Sequence, residues 1–109
     1  MEQYKYKLPN DDLTVDVYVK DGIVVFTQKD ISKLLSLGIK EVGDRIDKML
    51  TDGIISGSDI VTEHTVQAVS CRRLAVDINY YTLTVVNNLA IDIDKNISDF
   101  ENWLVTNKL

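Results

Sequence analysis

A chain of 109 residues holds one domain around one core, and a composition 45% hydrophobic and 27% charged is that of an ordinary globular protein. One cysteine and one histidine exclude an internal disulfide and a zinc site built from Cys and His alone. No apolar run approaches a membrane span and the N-terminus has no signal-peptide core, so a cytoplasmic protein with no membrane partner is expected, while the net charge of -5 excludes indiscriminate nucleic-acid binding.

Residues 1–12 are polar around Pro9 and predict a loosely ordered lead-in, with Tyr4 or Tyr6 packed down. From Leu13 the chain alternates, with Leu13, Val15, Val17 and Val19 on one side and Thr14, Asp16, Tyr18 and Lys20 on the other, which is a strand with one wet face. Asp21-Gly22 is a two-residue hairpin signal, and Ile23 to Phe26 is the returning strand.

Thr27 is a good N-cap, Asp30 three residues on completes a capping box, and Phe26 can staple onto Ile31. A helix therefore starts near Gln28, with Ile31, Leu34 and Leu35 on one face. Ser36-Leu37-Gly38 interrupts it, and Gly38 is the residue expected to turn left-handed and close it. A second helix begins at Ile39, carries Val42, Ile46, Met49 and Leu50 as its apolar stripe, and ends at Asp52-Gly53. Two short helices joined by a tight turn form a helix-turn-helix pattern, whose second helix is the candidate reader of a DNA major groove. A helical hairpin inside a small core, with no nucleic acid, gives the same pattern. Gly43 in mid-helix costs about 1 kcal/mol relative to alanine and predicts a close approach there.

After Gly53, Ile54 and Ile55 can pack back on the helices and Ser56 to Asp59 is a loop. Ile60 to Val69 reads as a strand, Ser70-Cys71-Arg72 as a break, and the alternation of Leu74, Val76, Ile78 and Tyr80 as the second strand of a hairpin. Such a hairpin takes the place of a wing, and Arg72 and Arg73 at its tip can reach phosphates; a solvated turn is the plainer reading. His64 shares a face with Ile60, Val66 and Ala68, where a partly buried structural histidine is expected. Helical spacing returns from Thr82 with Leu83, Val86, Leu89 and Ala90, breaks across Asp92 to Asn96, and resumes at a second capping box, Ser98 with Glu101, in a helix carrying Phe100, Trp103 and Leu104. One continuous helix also keeps the spacing; two are favoured. The fold class is thus α+β: a small single domain of two β-hairpins, a winged-helix-like helix-turn-helix and one or two C-terminal helices. Its helical pattern runs on to Lys108-Leu109, as expected of the N-terminal part of a longer protein.

The order of these motifs resembles the N-terminal domain of RhuM-type virulence-associated proteins of bacteria, from about Val15 onward. Phe26-Thr27-Gln28 matches that family's Leu-Thr-Gln-like step, and Val42 to Ile55 echoes its I-x-x-H-I-K-N-I-F-x-E-G-E-L stretch. Tyr80-Tyr81-Thr82-Leu83 corresponds to Tyr-Tyr-Asn-Leu, and Phe100-Glu101-Asn102-Trp103 to Phe-Arg-x-Trp. The family is similar to phage and viral Bro-N and KilA-N modules, so the resemblance implies a DNA-binding or regulatory role and brings no catalytic residues. The sequence departs from the pattern where the family tends to be basic, with Asp92, Asp94, Lys95 and Asn96 between the last helices and Glu101 in place of arginine.

The candidate nucleic-acid contacts are Lys29, Lys33, Lys40, Arg45, Lys48, Arg72 and Arg73. On the helix pair, Lys29, Lys33, Lys40, Arg45 and Lys48 are offset by Asp30, Glu41, Asp44, Asp47 and Asp52, five against five, so the pair is neutral. Lysines there can meet phosphates and Arg45 can read guanine, whereas Asp44 paired with Lys48 at i,i+4 is the solvated-face reading. Cys71 beside two arginines lacks a nearby histidine to activate it, so no enzymatic activity, catalytic residue, cofactor or metal is expected. The expected partner is DNA; the alternative is a protein partner or second copy, held by the helix carrying Phe100 and Trp103.

Overall fold

The computed structural model describes residues 1–9 and 12–109. Strands β1 (Glu2–Lys7), β2 (Thr14–Lys20) and β3 (Ile23–Phe26) are followed by helices α1 (Gln28–Leu35) and α2 (Ile39–Thr51) and a 3₁₀ turn, Gly57–Asp59. Strands β4 (Ile60–Val69) and β5 (Arg72–Thr82) then lead into α3 (Leu83–Asp92) and α4 (Ser98–Thr106). The strands form one antiparallel sheet in the order β1-β2-β3-β5-β4.

The expected hairpins are both present. Asp21 and Gly22, at φ 51° and 80°, make the two-residue turn between β2 and β3 with the left-handed pair of conformations that matches strand twist. Ser70 and Cys71 do the same between β4 and β5, at φ 49° and 65°, so Arg72 already belongs to the strand and not to the break.

Residues 2–7 correct the expectation of a loose lead-in, since they pair with β2 from Glu2 opposite Val19 to Lys7 opposite Thr14; the part of that expectation on residues 10 and 11 lies outside the described residues. The cause is Tyr6, which is buried and meets Phe100 edge to face at 5.0 Å and Trp103 at 5.2 Å. An aromatic anchored in the core outweighs the polar neighbours that surround it in sequence. Leu13, expected on the buried side, is 47% exposed because β2 begins only at Thr14.

One face of the sheet carries the core. Val15, Val17, Phe26 and Tyr81 pack with Ile31 and Leu35 of α1, Val42 and Ile46 of α2, Val86 and Leu89 of α3 and Phe100 of α4. Phe26 lies opposite Tyr81 in the ladder and its ring meets Phe100 edge to face at 5.8 Å, so sheet and last helix share one contact. On the other face Tyr18 meets Tyr80 edge to face at 5.4 Å, and Val25, paired with Tyr18, is fully buried. Lys20 reaches Glu63 at 2.6 Å and ties the root of the second hairpin to β2. Among the described residues no helix is long and apolar enough to cross a membrane.

The junction of sheet and helices is held by Asp30. Thr27 caps α1 by accepting from the Asp30 backbone N–H at 3.1 Å, and its hydroxyl donates to the Asp30 carboxylate at 2.5 Å. The other carboxylate oxygen accepts from the backbone N–H of Asp16 at 3.2 Å. Strand β3 pairs with β2 only at Tyr18, Val19 and Lys20, so Asp30 supplies the acceptor that the ladder no longer provides further along. Asp30 is the sole charged residue in the core among the described residues, at 4% exposure.

The second capping box does not form. Ile97 occupies the N-cap of α4 and Ser98 is already helical, while the Asn96 carboxamide oxygen accepts from the Ser98 backbone at 2.8 Å and from its hydroxyl at 2.6 Å. The break at 93–97 confirms two helices. Burial of Ile97 sets where the second one starts, ahead of cap preference.

Candidate nucleic-acid interface

The turn between α1 and α2 is built by Ser36 and not by Gly38. Ser36 takes the left-handed conformation at φ 56° and ψ 42°, with its N–H and that of Leu37 both directed to the Ser32 carbonyl. The Ser32 hydroxyl donates to the Leu37 carbonyl and ties the turn a second time. Gly38 is extended, at φ -66° and ψ 149°, and serves as the N-cap of α2 through its carbonyl, which accepts from Val42. Position 38 therefore needs no glycine for its backbone angles. The left-handed strain falls on a serine that two hydrogen bonds hold in place.

Gly43 has a clear cause. A methyl group there would stand 2.7 Å from the Gln28 amide nitrogen, which donates to the Ile39 carbonyl at 2.6 Å. Gln28, first residue of α1, thus crosses to the first turn of α2 over the space that Gly43 leaves, and satisfies a carbonyl on the way.

Val42, Ile46 and Met49 bury one side of α2, and Lys40, Asp44, Asp47 and Lys48 face solvent on the other. Neither the sheet nor the closing helices cover that side. Two of the cations on α2 are paired, however. Lys40 pairs with Asp44 at 3.0 Å, the lysine side chain being 90% exposed. Arg45 pairs with Glu41 at 3.1 Å and with Asp92 at the end of α3 at 2.5 Å. Hydrogen bonds to these two carboxylates, Glu41 foremost, raise the guanidinium above its ordinary pKa. Arg45 thus links α2 to α3, its guanidinium engaged by one acid on each helix. The expected Asp44–Lys48 pairing is replaced by Asp44–Lys40, the same i,i+4 spacing one turn earlier.

The remaining candidates fall in two places. Lys29 is exposed and Lys33 half-buried on α1; Lys33, with Lys5, helps hold the Asp16 carboxyl below its usual range, the hydrogen bond from Lys5 being the larger cause. Arg72 and Arg73 lie in the outer part of the β4–β5 hairpin, where residues 66–75 are all exposed. Neighbours on a strand point to opposite faces. Arg73 accordingly shares the face of Tyr81 and the helices, and Arg72 the face of Tyr80. Among the described residues, Lys29, Lys48, Arg72 and Arg73 form no ion pair.

His64 is corrected from a partly buried residue to an exposed one, because the outer half of its face has no helix over it; its ring contacts the Asp77 carboxylate opposite at 2.6 Å. Phe100 is buried inside its own core and Trp103 is half-buried against it, which leaves only the rim of that aromatic pair on the surface. The pairing of Asp92 with Arg45 is not legible in the sequence. Nothing local marks it, since the two stand 47 positions apart. Comparison with protein-family models, with curated proteins and with solved structures gave no match.

Proposed function

We propose that this domain is a DNA-binding regulatory module of the RhuM and Bro-N type, with α2 in the major groove and the β4–β5 hairpin serving as a wing. The observation that carries the reading is the solvent side of α2, open over its whole length and followed in the chain by a two-stranded ribbon whose outer ten residues stand clear of the body. Lys40 and Lys48 contact phosphates from α2, Lys29 does so from α1, and Arg73 from the wing. Lys40 leaves Asp44 at little cost, since an exposed i,i+4 pair is worth about 0.3–0.5 kcal/mol.

The acids on α2 limit how much affinity phosphates supply. Four phosphate contacts, at ~0.9 counterions released per phosphate, give a slope of about -3.6 for log affinity against log salt. Binding of this kind is modest and rests on sequence readout. Selection from a random duplex pool at low ionic strength tests it, with fluorescence anisotropy on the recovered sequence. The reading predicts retention that K48E and R73E weaken, and a protein that recovers no sequence at micromolar concentration would refute it.

A protein-interaction domain that keeps the architecture without binding DNA is the second reading. What favours it is the pairing of Lys40 and Arg45 with acids, which leaves the α2 surface neutral. A protein complex on that face that persists at high salt, with no DNA retained, is its signature.

A further inference from the structure

The two edges of the sheet are protected very differently. Strand β1 is six residues long and carries Lys5 and Lys7, the kind of charge that blunts an open edge. Strand β4 is ten residues long, contains no lysine, arginine, proline or glycine, and holds an unbroken register with β5 from Ile60 to Val69 without a bulge. Its only acid, Glu63, is engaged by Lys20. Val66, at 62% exposure, and Val69 stand exposed at its outer end, as does Leu74 beside them on β5. Among the described residues, the outer backbone of β4 has no neighbouring strand, and it is a row of donors and acceptors on a ribbon rich in Val and Thr. A second strand is the partner such an edge accepts.

We infer that this partner is the β4 strand of a second copy of the chain, paired antiparallel about a two-fold axis at Val66, so that two five-stranded sheets join into one. The charges along the hairpin select a second copy. Glu63 and Asp77 lie toward its root and Arg72 and Arg73 at its tip, so a two-fold axis across the middle sets each basic tip against the other acidic root. With Val66 opposite its own equivalent, Glu63 comes opposite Val69 of the other copy. Val69 is paired with Arg72, so Glu63 and that Arg72 lie on one face two strand spacings apart, about 10 Å between Cα atoms. Arginine and glutamate side chains together span that gap, Arg72 taking Glu63 Oε2 while Oε1 keeps Lys20. The opposite face carries an apolar row, Ala75 and Val66 from each copy, in which both valines lose their solvent. Moving the axis by one residue in either direction takes Arg72 out of line with Glu63. Because Arg72 and Arg73 point to opposite faces, the contact uses Arg72 and leaves Arg73 where the DNA reading needs it; the inference does not depend on that reading.

The test needs no DNA. Sedimentation of the full chain from low micromolar to near-millimolar concentration gives a monomer–dimer equilibrium. Val66→Lys places two ammonium groups side by side on the axis and raises the dissociation constant about tenfold or more. Arg72→Glu also weakens the dimer, while leaving the monomer's circular dichroism unchanged. A positive marker complements these losses: Val66→Cys in a Cys71→Ser background forms an interchain disulfide in air, because paired Cα atoms at about 4.5–5.5 Å fall within disulfide reach. Lys7→Cys in the same background, on the protected edge, does not. A wild-type chain that stays monomeric throughout the concentration range overturns the inference. So does a dimer that tolerates Val66→Lys, or cross-linking that is as fast from Lys7→Cys as from Val66→Cys.

Discussion

Replacing Asp30 by alanine removes one carboxylate that serves two elements at once. The Thr27 hydroxyl loses its acceptor, and the Asp16 N–H loses the group that stands in for a missing strand. A hydrogen bond to an ionised group contributes about 1.5–3 kcal/mol, and both sites here are only part-buried, so water recovers some of the loss; the expected cost is about 2–4 kcal/mol. Unfolding entropy of about 2.1 cal/mol/K per residue gives roughly 0.23 kcal/mol/K for this chain, so Tm falls by about 9–17 °C. Urea titration followed by tryptophan fluorescence measures it, with an unchanged slope showing that the native and denatured states expose the same surface as before. Asp30→Asn keeps the shape and one acceptor, and is expected to cost about half as much. A double-mutant cycle with Thr27→Val isolates the shared bond, with a coupling of about 1 kcal/mol. If Asp30→Ala costs less than about 1 kcal/mol, or couples to Thr27 not at all, Asp30 does not hold the junction in the manner described.

Gly43→Ala is expected to be near neutral, because the gain of about 1 kcal/mol in helix propensity is offset when the methyl displaces Gln28 from the Ile39 carbonyl; in a Gln28→Ala background the same change stabilises by about 1 kcal/mol, read by thermal unfolding. The Asp16 carboxyl is held below its ordinary value of 3.8 chiefly by Lys5, so its folded pKa lies under the unfolded one. That contribution is complete above the unfolded value and fades as pH falls through the folded one; Lys5→Gln raises the Asp16 pKa in an NMR titration and removes about 0.2–1 kcal/mol, or less given how exposed Lys5 is, at neutral pH but not in acid. Burial raises the phenols of Tyr6, Tyr18 and Tyr81, the last helped by Asp47. The unfolded chain therefore gains from ionisation first, and stability falls as pH rises past 10, with the late absorbance change at 295 nm accompanying unfolding.

Much of the fold was legible because its signals are local. Hydrophobic alternation, Asp21-Gly22 and the Thr27 cap fix the first hairpin and the start of α1, and they stand where expected. Signals that depend on a distant partner were not legible. Tyr6 makes a strand of a polar segment only because Phe100 and Trp103 come to meet it, 94 and 97 positions later. The candidate site shows the same division: the basic residues were visible as letters, but the engagement of Arg45 was decided by Asp92, brought to it from a distant helix.

Taken alone, the sequence determined the class of the domain and the position of nearly every element. Periodicity and capping are properties of neighbours within a turn or two, and such short-range preferences are written directly into the chain. The tertiary structure decided which residue closes α1, which aromatic holds down the first strand, which cations keep their charge to themselves and which sheet edge is left unguarded. Each of those depends on groups brought together by folding, where one added hydrogen bond or ion pair outweighs the local preference that the sequence displays.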